Sequence, residues 1–210
     1  MRNWFCESEC SKRLERFGES AMDEPLQKTL VDTIRFLEQH KIPYAMIGGL
    51  AASLRGEARA TADVDLVIGV NVDEALTLVS NLVNSPFQPL FDGVEEVVSQ
   101  AFILPLRHRL TGIKIDLSLG MSGFEKQLIA RAESVKIGSQ SFQVATAEDL
   151  LVMKLLAGRP RDQQDARGIA VVQGQQLDWQ YCSDTARRLG EAVDQDIVSH
   201  VEKLRTEHGK

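Results

Sequence analysis

Residues 44–68 read YAMIGGLAASLRGEARATADVDLVI: a short apolar run, a Gly-Gly pair, a second apolar run closed by Gly56, and a segment in which Asp63 and Asp65 alternate with Val64 and Leu66. That order predicts a strand, a tight turn, a short helix and a second strand. Side chains of an extended strand point alternately to its two faces, so Asp63 and Asp65 project together while Val64 and Leu66 project the other way. Two carboxylates in one small volume repel each other unless a cation lies between them, and hard divalent ions such as Mg²⁺ take oxygen ligands of this kind. The segment therefore predicts a candidate phosphate cradle facing a candidate metal site.

The rest of the chain supplies a frame for that segment. Leu26, Leu30, Ile34 and Leu37 recur at helical spacing over residues 26–40, and Ile42-Pro43 ends the pattern before the first strand. After the aspartate strand, Asn71 offers a helix start and residues 73–82 read as an amphipathic helix. Pro86 and Pro89 break that pattern, and residues 95–106 and 112–119 read as strands. In the second of these Ile113, Ile115 and Leu117 alternate with Lys114, Asp116 and Ser118, which aims a third aspartate away from the apolar face. From Thr146 the reading is helical, over residues 146–157, 162–172, 178–189 and 191–205. The tetrapeptide TAED matches a capping box at the first of these, and Asp162 is placed to cap the second. The predicted organisation is an appendage over residues 1–25, an α/β region over 26–145 and a helical region over 146–210, an α+β chain.

Of the 210 residues 43% are hydrophobic and 26% charged, the composition of a globular protein. A formal net charge of -6 argues against broad affinity for nucleic acid, which rests on neutralising many phosphates. No apolar run approaches a membrane span and the N-terminal residues are too charged for a signal peptide, so no membrane association and a cytoplasmic location are expected. Cys6, Cys10 and Cys182 form no disulfide or zinc framework and read as reduced thiols. The histidines at 40, 108, 200 and 208 are scattered, with none beside a plausible nucleophile.

The candidate site residues follow from this frame. Gly48 and Gly49 let backbone approach phosphate oxygens, and the helix behind them presents unpaired N–H groups to an anion. Ser53 lies within that helix. Arg59 is placed to contact phosphate and Thr61 to orient a carboxylate, although both also read as surface loop residues. Asp116 from a separate strand could complete a two-metal site with Asp63 and Asp65, whereas Asp-x-Asp alone can be a solvated strand face. Lys154 shares a stripe with Leu150, Leu151 and Ala157, where it must snorkel or meet a negative partner; the functional reading is a cation supporting a triphosphate. Asp165 is placed to face the same cleft, with Arg159, Arg161 and Arg167 adding positive charge nearby.

Taken together, GG, RATADVDLVI, KIDLSL and EDLLVMKLLAGRPRDQQDARGI make residues 25–172 resemble the nucleotidyltransferase-fold superfamily. Within it the chain resembles minimal AbiEii-type proteins, the nucleotidyltransferase toxins of type IV toxin-antitoxin systems and their relatives. The resemblance implies a mixed sheet flanked by helices and followed by a C-terminal helical region. It implies that Asp63, Asp65 and Asp116 are the catalytic carboxylates that bind Mg²⁺, with Asp116 the base. Gly48 and Gly49 fall on its phosphate-binding turn, and Lys154 and Asp165 on its later lysine and aspartate motifs. The superfamily's turn is commonly Gly-Ser; this chain has Gly-Gly.

The function so implied is Mg²⁺-dependent transfer of a nucleoside monophosphate from a nucleoside triphosphate such as ATP to a hydroxyl on RNA, protein or a small molecule. A toxin-type enzyme with an antitoxin-like partner is one form of it. The alternative is a catalytically weak nucleotide-binding or interaction module of a two-component system. An Asp-x-Asp phosphohydrolase or glycosyltransferase fits less well, since neither requires the glycine turn upstream together with Asp116 downstream.

Overall fold

The computed structural model describes residues 22–137 and 139–209. Most of the expected appendage, with Cys6 and Cys10, lies outside the described residues. The first helix, α1 (Glu24–Gln39), opens on the Asp23 side chain accepting from the Leu26 N–H, with Pro25 in the first turn, and buries Leu26, Leu30, Ile34 and Leu37. Then come β1 (Tyr44–Met46), α2 (Gly48–Arg55), β2 (Asp63–Ile68) and α3 (Val72–Asn81), the last opened by a capping box between Asn71 and Glu74. A 3₁₀ turn leads to β3 (Phe87–Pro89), α4 (Val94–Ala101), β4 (Ile103–His108) and β5 (Lys114–Leu119). After α5 (Gly123–Arg131) the hairpin of β6 (Glu133–Ile137) and β7 (Gln140–Val144) ends the sheet. Four helices follow: α6 (Ala147–Ala157), α7 (Pro160–Gln173), α8 (Trp179–Val193) and α9 (Val198–His208). No helix among the described residues is long and apolar enough to cross a membrane.

The seven strands form one mixed sheet in the order β3-β4-β5-β2-β1-β7-β6. β2 runs parallel to β5 and β1 parallel to β7, while the other neighbours are antiparallel. Val64, Leu66 and Ile68 of β2 and Ile115, Leu117 and Leu119 of β5 lie in a core that continues through α1, the sheet and the helices as far as Ile169, Cys182 and Val201. The Cys182 thiol is free and buried, and burial pushes its pKa well up, as befits an inert core thiol.

Several expected boundaries are corrected. Residues 95–106 are not one strand. Val94 and Val98, four apart, bury one side of α4, Glu95 and Glu96 sit in its first turn, and Phe102 reverses the chain in the left-handed region before β4 begins. The helix expected over 191–205 is divided, because Asp194 with φ 55° ends α8 and α9 starts only at Val198. Thr146 does cap α6 through the Asp149 N–H, but no reciprocal bond to the Thr146 N–H forms: the Asp149 carboxylate accepts from the Thr146 hydroxyl, from Arg131 and from Tyr181. Asp162 is not a cap either; Arg159 holds that position, Pro160 starts α7, and Asp162 is buried within its first turn.

The helical region is seated on the sheet through a backbone contact. A Cβ on Gly56, at the end of α2, would stand 2.7 Å from the Ile169 N and 2.8 Å from the Gly168 C of α7. Such overlap requires two packed helices to separate. Gly56→Ala is therefore expected to destabilise the fold by about 1–3 kcal/mol, the usual range for overpacking. Urea unfolding monitored by circular dichroism checks this; an unchanged midpoint would show that the two helices are not held at this spacing.

Candidate active site

The site grows out of the pairing of β2 with β5. Alternation places Asp63 and Asp65 on the face opposite the buried Val64 and Leu66, each half-buried. Parallel register then sets Asp65 beside Asp116 and Asp63 beside Lys114. Neighbouring strands lie about 4.8 Å apart, so three carboxylates and one ammonium share a compact patch. The Lys114 Nζ donates to Asp116 Oδ2 at 2.6 Å. Burial, then the Asp116 and Asp63 charges, push the Asp65 carboxyl above the ordinary carboxylate range, against a hydrogen bond from the Gly49 N–H and the more distant Lys154 charge.

The Gly-Gly turn closes on this patch. The Ile47 N–H donates to the Asp65 carbonyl at 3.0 Å, after which Gly48 takes φ +67° and α2 begins. A Cβ on Gly48 would lie 1.9 Å from Asp65 Oδ2, so glycine is required both by the backbone and by the carboxylate packed against it. No side chain of Ile47 caps α2, and its positive end meets Asp65.

Lys154, only 8% exposed, meets its negative partners on α7, with Nζ 2.9 Å from Asp162 Oδ1 and 2.9 Å from Asp165 Oδ2. Arg59 grips the same Asp165 through two parallel bonds, Nε to Oδ1 at 2.6 Å and Nη2 to Oδ2 at 2.8 Å. Arg159 pairs with Asp162, and the Arg161 Nη2 donates to the Ala60 carbonyl at 3.1 Å. Burial alone would raise the Asp165 pKa, but hydrogen bonds from Arg59 and then Lys154 hold it below the ordinary value. The loop that carries Arg59 and Thr61 into β2 is thereby fastened to the helical region.

The structure thus brings Gly48, Gly49, Asp63, Asp65 and Asp116 together directly, and joins Arg59, Lys154 and Asp165 into an adjoining ion-pair cluster. Thr61 packs over Gly49. Ser53, a candidate phosphate contact from sequence, fastens the loop instead: it is 1% exposed, donates to the Arg59 carbonyl at 3.1 Å and accepts from the Arg59 N–H at 3.2 Å. Two participants were not singled out from sequence. Lys114 sits two residues before Asp116 on the same strand face, a spacing that alone announces the pair. Asp162, read as a cap, is the second anchor of Lys154.

Oxygen donors of this kind suit a divalent ion. Among the described residues no three acidic, histidine or cysteine side chains converge on one metal position. The Asp116 carboxylate is engaged by Lys114. The Asp65 carboxyl, crowded by its two neighbours, is the group that a cation would relieve most.

No curated protein matches the sequence. Among solved structures the chain is similar to an antigenic nucleotidyltransferase-like protein from Paracoccidioides brasiliensis, at 21% identity over 85% of this chain and 92% of that one, with a TM-score of 0.49. It is also similar to the antibiotic-resistance factor ANT(2'')-Ia, at 15% identity over 89% and 92% of the two chains, with a TM-score of 0.47. A CCA-adding enzyme in complex with CTP shares 13% identity over 94% of this chain and 54% of its own, with a TM-score of 0.36. The sequence pattern of the family described as nucleotidyltransferase of unknown function (DUF6036) matches residues 28–192, a span that holds every residue of the site. With three strand-borne aspartates at the mouth of a glycine-opened helix and a match running from α1 to the last turn of α8, the chain belongs to this nucleotidyltransferase family.

Proposed function

We propose that this nucleotidyltransferase uses Mg²⁺ to move a nucleoside monophosphate from a nucleoside triphosphate to a hydroxyl acceptor on RNA, protein or a small molecule. The observation that carries the reading is the carboxylate crowding at Asp65, which favours a bound cation at the positive end of α2. Asp63, Asp65 and Asp116 would hold the metal. When bound, Mg²⁺ neutralises charge developing on the phosphates and lowers the pKa of the attacking hydroxyl.

This chain's own residues do the rest. The N-terminal turn of α2 receives the triphosphate on backbone N–H groups, and the Arg59–Lys154 cluster, three cations with Arg159 against Asp162 and Asp165, supplies net positive charge alongside. Asp116 takes the acceptor's proton as the acceptor oxygen bonds to the α-phosphorus; the bond from that phosphorus to the bridging oxygen breaks and pyrophosphate leaves. Release of Asp116 from Lys114 precedes that role. The likeness to AbiEii-type proteins, through Lys154 and Asp165, supports a toxin-type role with an antitoxin-like protein partner.

Incubation with each labelled triphosphate, Mg²⁺ and total RNA or cell extract should yield a labelled product that depends on the carboxylates. Asp63→Ala combined with Asp65→Ala is expected to reduce labelling by at least about a thousandfold, the scale on which loss of charge stabilisation slows such chemistry. Labelling that persists in the double variant would overturn the assigned site.

The same crowding fixes a stability test. A carboxyl whose folded-state pKa is raised favours its protonated form in the fold, so its contribution is fullest below the ordinary value of 3.8 and is lost as pH rises through the raised value. Asp65→Asn, which imitates the protonated form, should melt above the wild type at neutral pH without divalent metal. That advantage should vanish at pH below 3.8, and Mg²⁺ at neutral pH should narrow it by raising the wild type alone. Thermal melts at the two pH values decide; an Asn variant that melts lower at neutral pH would contradict the account of Asp65.

A further inference from the structure

Gly49 is glycine for a different reason from Gly48. Its backbone is ordinary helix, absent from the positive-φ positions, so no conformational demand excludes a side chain there. Space excludes it. A Cβ on Gly49 would stand 2.6 Å from Thr61 Oγ1, 3.1 Å from Thr61 Cβ and 3.1 Å from Arg59 Nη2. Carbon does not approach a hydroxyl oxygen at 2.6 Å without displacement, so a side chain at residue 49 and the side chain of Thr61 compete for one volume.

What occupies that volume is a hydroxyl held from outside. The Thr61 Oγ1 makes no hydrogen bond with other described residues and is half-exposed. Its β-branched side chain has few rotamers, and the loop that carries it is fastened at Ser53, at Asp165 through Arg59 and at Arg161 through the Ala60 carbonyl. An unspent donor thus stands over the first turn of α2, beside the Arg59 guanidinium, on a loop that is itself held in place.

We propose that Thr61 supplies the phosphate-binding hydroxyl of this turn, delivered across space onto Gly49, so that residues 49 and 61 act as one coupled unit. This rests on the nucleotidyl-transfer reading above and adds to it the residue that grips the triphosphate. A serine at position 49 would bring its own hydroxyl, but only by evicting Thr61. The helical region gains a role as well, because the α7 clamp on Arg59 sets where the hydroxyl stands.

The test is a double-mutant cycle read by calorimetric titration with the four nucleoside triphosphates and Mg²⁺, and by thermal melts without ligand. Thr61→Val, which keeps the shape and removes the donor, should weaken binding of the preferred triphosphate about tenfold or more, the scale of a hydrogen bond to a charged group. Thr61→Ser, which keeps the oxygen, should be affected less. Gly49→Ser should lower both affinity and melting temperature, and adding Thr61→Gly should restore part of each, since the second change makes room for the first. Wild-type affinity in Thr61→Val, or losses in Gly49→Ser and Thr61→Gly that simply add, would overturn the coupling while leaving the transferase reading intact. A wild type that binds none of the four triphosphates would overturn both.

Discussion

The parallel pairing of β2 with β5 is the constraint on which the rest of the structure depends. Six positions are held in register, from Asp63 opposite Lys114 to Ile68 opposite Leu119. A slip of one residue would turn every side chain of a strand to the other face. The aspartates do not hold this register, since like charges a few ångströms apart repel by about 1–4 kcal/mol at the effective dielectric of a protein surface or water. The opposite face does: Val64, Leu66, Ile68, Ile115, Leu117 and Leu119 are all at most 2% exposed. At about 1.5–3 kcal/mol for each buried side chain they outweigh the repulsion severalfold. The core therefore imposes a carboxylate cluster that would not assemble by itself, and Lys114 relieves it most at Asp116, where it donates a hydrogen bond, and by charge at Asp63 and Asp65.

The second constraint is Asp165. A buried carboxylate tolerates isolation poorly, and here two cations from opposite directions satisfy it, Arg59 from the loop before β2 and Lys154 from α6. The arrangement determines where the loop lies, because Arg59 stands four residues before Asp63. Arg161, one turn earlier on α7, fixes the same loop at Ala60. The helical region thus shapes the site without placing an α8 or α9 side chain in it, and the close backbone approach at Gly56 and Gly168 brings α7 near enough for the grip.

How much of this could be read in the sequence depends on how local each signal is. The alternation of Asp63 and Asp65 with Val64 and Leu66 is a period-2 pattern that only a strand explains, and the same pattern carried Asp116. The demand that Lys154 meet a negative partner followed from its apolar stripe, and the partners proved to be Asp162 and Asp165. Residues 95–106 misled because EVV and the following FILPL are rich in strand formers, while the four-residue spacing of Val94 and Val98 that buries α4 is brief. The β6–β7 hairpin escaped notice because each strand has only five residues and exposes three of them. Cross-strand neighbours were beyond reach, for register belongs to the folded sheet; hence Asp63 beside Lys114 could not be named, although Lys114 with Asp116 could have been.

The Gly-Gly turn shows why spatial context decides what a motif means. From sequence, both glycines read alike, as residues that let backbone approach a phosphate. In the structure Gly48 answers to its own φ and to the Asp65 oxygen behind it, whereas Gly49 answers only to Thr61 and Arg59 above it. The first glycine is set by residues within the β1–α2–β2 unit. The second is set by a loop whose position is fixed from α7, more than a hundred residues along the chain. A hydroxyl missing from the turn is therefore not missing from the site, because a functional group is defined by the volume it occupies, and that volume can be filled from whichever segment the fold brings there.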